Sequence, residues 1–432
     1  LVGSEMCIRD SLTAAEEALA KAEADVISNA MKAIDAIGKV TADSKNKIEK
    51  AKDTYSAVPE RLRDKVTNSD TLDKATERFA VIDTIKQAGT KSKDHFDTVL
   101  GTLADNNIYP VQSIGGEWSV IALARAGKLS ADKAAKYYNE LCEAVKANGS
   151  DRLSDRKPTE NARVIIALSS LGKNSADIAG YNLLSGLDDM DYITSQGINA
   201  VIFSLIAFDT TDYSAKTHDE LIAYIVDNMT GKGWALAGDT ADVDLTAMAI
   251  QALAPYAADE KVNAAIDSGL EFLAESLDEN ARYANGSEST SQVLIALAAL
   301  GIDPLTDSRF IVDGITLIDA LESYATENGY SHTLGGEENY MATEQAALAL
   351  TAYELSKDGS SLYEMSAKAE PTEPENPDTP AQPGDSVKPG DCSGKPEDKN
   401  DPINPGTGVL VTGGMAVLIS GAVMLISKKK RK

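Results

Sequence analysis

Cysteine is scarce in this chain: Cys7, Cys142 and Cys392 are the only three in 432 residues. Their odd number and wide spacing point to neither a disulfide framework nor a zinc site, and Cys142, inside a helical pattern, reads as a small core residue. Histidine is equally rare, at positions 95, 218 and 332, and aromatic residues make up 5% with two tryptophans. Basic residues are in deficit, 41 against 67 acidic ones, and the net charge of -26 repels phosphate, which excludes nucleic acid as a partner. No β-rich segment is visible. A long apolar run is missing too, until the last 24 residues.

What is present is helical. With 43% hydrophobic residues the chain can bury a sizeable core in one large or two to three ordinary domains. Leu1 is not an initiator, and residues 1–11 lack the apolar centre of a signal peptide, so they read as a truncated or non-native-looking start. From 12 to 89, apolar residues recur at helical spacing, among them Ile27, Met31, Ile34, Ile48, Leu72, Phe79 and Ile82. Breaks at 41–44, 57–59 and 67–69 divide this stretch into about three helices. The stretch from Ala36 to Thr71 resembles the three-helix spacer modules of Gram-positive surface proteins. An uninvolved acidic coiled-coil hairpin is the alternative.

Between 93 and 358 the chain repeats. Six Ala-rich segments centre on Leu123, Leu168, Leu205, Leu253, Leu297 and Leu350, which are 45, 37, 48, 44 and 53 residues apart. This period signals stacked helix pairs. The six are apolar nearly all round, as enclosed helices must be, whereas the segments between them (94–104, 133–145, 177–187, 217–229, 259–277 and 313–326) have one apolar stripe and a charged back. Six inner and six outer helices predict an all-α fold, an (α/α)6 toroid. An open solenoid would need polar capping helices at its ends, and the first and last inner segments are no more polar than the others.

Nine of the fourteen prolines lie between Pro371 and Pro405, so 366–407 predicts an extended Pro-rich stalk that cannot bury a core. The sequence Asn404-Pro405-Gly406-Thr407-Gly408 follows, then eighteen uncharged residues, 409–426, and the basic end 428–432. An apolar run of that length stopped by positive charge predicts one transmembrane helix. The three-part tail, 404–432, resembles a sortase sorting signal, with Asn-Pro in place of the commoner Leu-Pro. That resemblance implies cleavage between Thr407 and Gly408 and attachment to peptidoglycan, on the wall of a Gram-positive cell. A plain membrane anchor would equally place the toroid outside the cell.

The turn Gly233-Trp234, the helix start Asp242-Val-Asp-Leu-Thr-Ala-Met-Ala and the later Gly286-Ser-Glu-Ser-Thr-Ser-Gln resemble the prenyltransferase and squalene-cyclase-like toroid superfamily. Its cyclases protonate an alkene with an Asp-x-Asp-Asp motif, and Asp242 and Asp244 match its first two aspartates, but Leu245 replaces the last. The protein prenyltransferases hold zinc with Asp, Cys and His, and no cysteine lies between Cys142 and Cys392. Corrinoid carriers use a similar barrel beside a β domain, which leaves a corrinoid as an alternative ligand; no cofactor is otherwise predicted.

Asp242 and Asp244 also suit plain helix capping. In a closed barrel all inner helices begin at one end. Trp234, Asp239, Asp242, Asp244, Tyr283, Asn285, Glu288, Tyr330, His332, Glu338 and Tyr340 would then share one mouth, suited to a glycan or another polar small molecule. The expectation is ligand binding or adhesion through the toroid, with a glycan-cleaving or cyclase-like enzyme using mouth carboxylates as the alternative.

Overall fold

Helix periodicity, capping residues and glycine turns shape the chain locally. The computed structural model describes residues 2–106 and 109–365, so the expected stalk, sorting motif with Thr407 and Gly408, and membrane span lie outside the described residues. Among the described residues the fold is all-α, with helices and no strands, and no helix is long and apolar enough to cross a membrane. The helices in chain order are α1 (Val2–Asp35), α2 (Lys45–Ser56), α3 (Ser69–Gly89), α4 (Ser92–Asp105), α5 (Ile114–Arg125), α6 (Ala131–Asn148), α7 (Pro158–Ser170) and α8 (Leu183–Leu187). They continue as α9 (Met190–Thr194), α10 (Ile198–Asp209), α11 (His218–Asp227), α12 (Val243–Leu253), α13 (Glu260–Glu275), α14 (Ser287–Ala299), α15 (Leu317–Glu322) and α16 (Tyr340–Ser356).

The chain divides into two compact units. The first holds residues 1–92 together with 279–281 and 311–323. Its main core joins α1, α2 and α3 through Ala30, Ile34, Ile48, Ala51, Leu62 and Leu72. A second core sets Ile82 and Ile85 of α3 against Ala281, Ile315 and Ala320. Arg78 binds Asp313 at 3.0 Å and Asn280 at 2.5 Å, and Lys86 binds Asp319 at 2.7 Å. Gly314, at φ +87°, lies so near Ala42 that an added Cβ would stand 2.8 Å from the Ala42 Cβ.

The second unit holds the repeats. The six segments centred on the repeated leucines are α5, α7, α10, α12, α14 and α16, and they are buried along most of their length. Each packs against the next, α5 on α7, α7 on α10, α10 on α12, α12 on α14 and α14 on α16; α16 also packs on α5. The amphipathic partners α6, α11 and α13 bury one stripe each, such as Tyr137, Leu141 and Val145 of α6. Cys142 of α6 is buried and disulfide-bonded, a pairing that cysteine count and spacing do not announce.

Two of the expected outer helices are cut to about one turn. In 177–187 only α8 forms, because Ala179 and Gly180 adopt left-handed φ of +54° and +88° under the Ile178↔Tyr181 bridge. In 313–326 only α15 forms, behind Asp313 (+55°) and Gly314 (+87°) under the Val312↔Ile315 bridge. Both turns feed a side-chain cap, Asn182 and Thr316. A glycine following a left-handed residue is a tight-turn signal that outweighs the apolar stripe.

Candidate functional site

The starts of the six repeat helices are built to one plan at least twice. At α12, Asp242 is extended and its carboxylate accepts the Leu245 N–H at 3.0 Å. Its own N–H reaches the Trp234 carbonyl at 2.7 Å, while the Trp234 N–H donates to Thr246 Oγ1 at 3.0 Å. The start of α16 repeats this: Asn339 caps the Ala342 N–H at 3.0 Å and donates to the Tyr330 carbonyl at 2.8 Å, and the Tyr330 N–H donates to Thr343 Oγ1 at 2.9 Å. The residue before each aromatic must be glycine: a Cβ on Gly233 or Gly329 would fall 2.3 or 2.4 Å from the threonine hydroxyl. The Gly-aromatic turn, the cap and the threonine are one structural motif.

That plan accounts for several of the expected mouth residues. Trp234 is fully buried, its indole N–H donating to the Ile225 carbonyl at 2.7 Å. Tyr330 is also fully buried and pairs with His95 at 3.2 Å. Tyr283 is buried, which drives its phenol far above the ordinary range. Asp242 is the cap of α12; Asp244 is 1% exposed in its first turn. Asp239 and Glu338 are exposed, Glu338 accepting from Thr326 at 2.8 Å, and Asn285 is half-buried.

Two of the predicted residues meet through their side chains. Glu288, in the first turn of α14, accepts from His332 Nδ1 at 2.8 Å, with the carboxylate 7% and the imidazole 37% exposed. Ser287 Oγ lies 3.2 Å from the same carboxylate oxygen and 2.8 Å from the Ser331 carbonyl. Gly286, at φ +106°, admits no side chain, since a Cβ would stand 2.5 Å from the His332 carbonyl. A buried carboxylate that orients one ring nitrogen leaves the other for a ligand or a proton. Beside it the stretch 333–341, the loop into α16 and the first two residues of that helix, is exposed throughout, including Leu334, Tyr340 and Met341.

Sequence reasoning missed a second polar group, buried among the repeat helices. Glu117 of α5 is fully buried and accepts from Arg163 Nε at 2.9 Å, Tyr137 at 3.0 Å and the N–H groups of Gln112 and Ser113 at 2.7 and 2.9 Å. Burial pushes its carboxyl up, and Arg163, Tyr137 and the backbone donors pull it back. Glu344 of α16 is fully buried, and among the described residues its carboxyl has one hydrogen-bond partner, Ser119 Oγ, 3.1 Å from Oε2, with none at Oε1. Burial raises it to about 8. A ladder of buried glutamines joins α12, α14 and α16, Gln251 donating to Gln292 at 2.9 Å and Gln292 to Gln345 at 2.5 Å. The available signal was a charged residue inside an otherwise apolar helix, as in Thr-Glu344-Gln-Ala-Ala-Leu.

Among the described residues no group of three or more His, Cys, Asp or Glu side chains is placed to hold a metal ion. No family model, curated protein or solved structure matches the chain.

Proposed function

We propose that this chain is an exported surface protein whose inner helices close into a toroid, and that it binds a ligand or adhesion partner at the end where those helices begin. The succession of helix contacts from α5 through α16 and back to α5 supports closure. The observation that carries the binding reading is the exposed stretch 333–341, the loop into α16 and that helix's first two residues, beside the Glu288–His332 pair. It sets Leu334 (49% exposed), Tyr340 (43%) and Met341 (38%) among Glu337, Glu338 and Asn339. Apolar side chains grouped in a polar rim mark surfaces that engage partners, and tyrosine beside carboxylates suits a glycan. The tail sequence 404–432 supports attachment to the wall of a Gram-positive cell.

A thermal-shift screen of glycans, corrinoids and isoprenoids on the full chain tests this reading. A compound that raises the melting temperature should lose its effect in Leu334→Ser/Met341→Ser, and a screen without any shift counts against binding. Fractionation should recover the protein from the cell wall; recovery from the cytoplasm would refute the anchoring. The oriented imidazole of His332 favours a second reading, acid-base cleavage of a bound glycan. Glu288→Gln would then abolish turnover while leaving binding in place.

A further inference from the structure

The start of α16 is tied to α5 by a chain of four oxygens. The Gly115 carbonyl lies 2.9 Å from Tyr340 Oη, Tyr340 Oη 2.8 Å from Ser119 Oγ, and Ser119 Oγ 3.1 Å from Glu344 Oε2. Three hydrogen bonds need three protons. The carbonyl supplies none, and the two hydroxyls supply one each. The third must come from the carboxyl of Glu344. The directions then follow without conflict: Glu344 donates to Ser119, Ser119 to Tyr340, and Tyr340 to Gly115, leaving Tyr340 free to accept from the side chain of Asn106. Oε1, without a hydrogen-bond partner among the described residues, agrees, because a buried carboxylate anion so placed is far costlier than a neutral acid.

We propose that Glu344 is held as the neutral acid and that Gly115, Tyr340, Ser119 and Glu344 form a proton-locked clasp between α5 and α16, which loosens when Glu344 loses its proton. Loss of the proton breaks one of the three links and leaves a charge in the seam. The charged groups around it do not remove that cost. Glu117 on α5 repels the anion, and Arg163 on α7 attracts it but is already engaged by Glu117 and Glu160. On α14 the only charged side chain is Glu288, which holds His332. Tyr340 is 43% exposed, so the clasp has one end at the surface and the other in the core. Its position matters because α5 and α16 are the first and last of the helices that pack in succession. The clasp rests on these oxygen contacts and not on the binding reading.

Amide hydrogen exchange of the full chain tests it, followed in peptides from 114–125 and 340–348 between pH 6 and 9 and corrected for intrinsic exchange. A carboxyl at about 8 in the closed seam and at its ordinary value in the open one makes opening grow on the order of tenfold per pH unit, levelling above pH 8. Glu344→Gln should stay closed and lose this pH dependence, since its amide N–H donates to Ser119 without titrating. Ser119→Ala should exchange fast at every pH. Protection that ignores pH in the natural chain, or that follows pH equally in Glu344→Gln, would overturn the clasp. Where a variant does not fold, infrared spectroscopy of the natural chain decides. A protonated carboxyl band that persists at pH 7 and disappears as the pH passes 8 supports the proposal, and its absence at pH 7 refutes it.

Discussion

The starts of α12 and α16 share a glycine-aromatic turn, a capping side chain and a threonine that receives the aromatic N–H, yet they differ in what lies beyond. At α12 the aromatic Trp234 is buried, and the cap and the turn satisfy one another locally. At α16 the same frame carries two additions: Tyr340 and Met341 at the surface and Glu344 in the core. A shared local motif therefore marks a helix entrance, and the residues added to it distinguish one entrance from another. The pair Asp242 and Asp244 first drew attention to α12, but Asp242 caps the helix, whereas at α16 the cap is an uncharged Asn339 and the carboxyl sits one turn further in.

The comparison is broken most severely by removing Arg163. Arg163→Met leaves Glu117 buried without its counter-ion, a change that costs about 3–5 kcal/mol, to be read from urea unfolding. A cost under 1 kcal/mol would mean that the backbone donors and Tyr137 suffice. Truncating the two equivalent aromatics comes next. Trp234→Ala and Tyr330→Ala should each lose about 3–5 kcal/mol, as large buried rings do, and unequal losses would show that the two entrances are not equivalent in packing.

The effect of pH separates the entrances. Glu344 has a folded value of about 8, above the ordinary carboxyl value of 4.5. The stability it contributes is complete below pH 4.5 and is lost as the pH rises to 8, on the order of a few kcal/mol at most. Glu344→Gln should therefore flatten the pH profile of unfolding between pH 5 and 8 and gain stability relative to the natural chain at pH 8; an unchanged profile would place the titration elsewhere. Removing a cap is milder: Asp242→Ala and Asn339→Ala should each cost about 1 kcal/mol, measured as shifts in the urea midpoint. The smallest effect on stability is expected for Leu334→Ser, within about 0.5 kcal/mol of the natural chain, so that any loss of ligand response in that variant reports the surface and not the fold.

Much of the helical architecture was legible. The leucine repeat located the six helices α5, α7, α10, α12, α14 and α16, and the side-chain oxygens near 41–44 and 68–70 marked the joints of the first unit. The outer partners at 177–187 and 313–326 were read as full helices because their apolar stripes are sound. The turns Ala179-Gly180 and Asp313-Gly314 override those stripes, since backbone conformation is settled residue by residue before a stripe can act. Nor did composition show that 279–281 and 311–323 complete the core of the first unit, because Ala281, Ile315 and Ala320 are unremarkable apolar residues until Ile82 and Ile85 meet them.

At the candidate site the sequence named Glu288 and His332 only as two residues among eleven near helix starts, and the structure brought them to 2.8 Å. It did not name Glu117, Ser119, Arg163 or Glu344. The sequence by itself determined helix content, the repeat and the apolar faces, because these follow from spacing within one element, where neighbours in the chain are neighbours in space. Only the tertiary structure decided which polar groups share a proton, because Ser119 meets Tyr340 and Glu344 across 221 and 225 residues of chain, and a hydrogen bond depends on tenths of an ångström that no local pattern encodes.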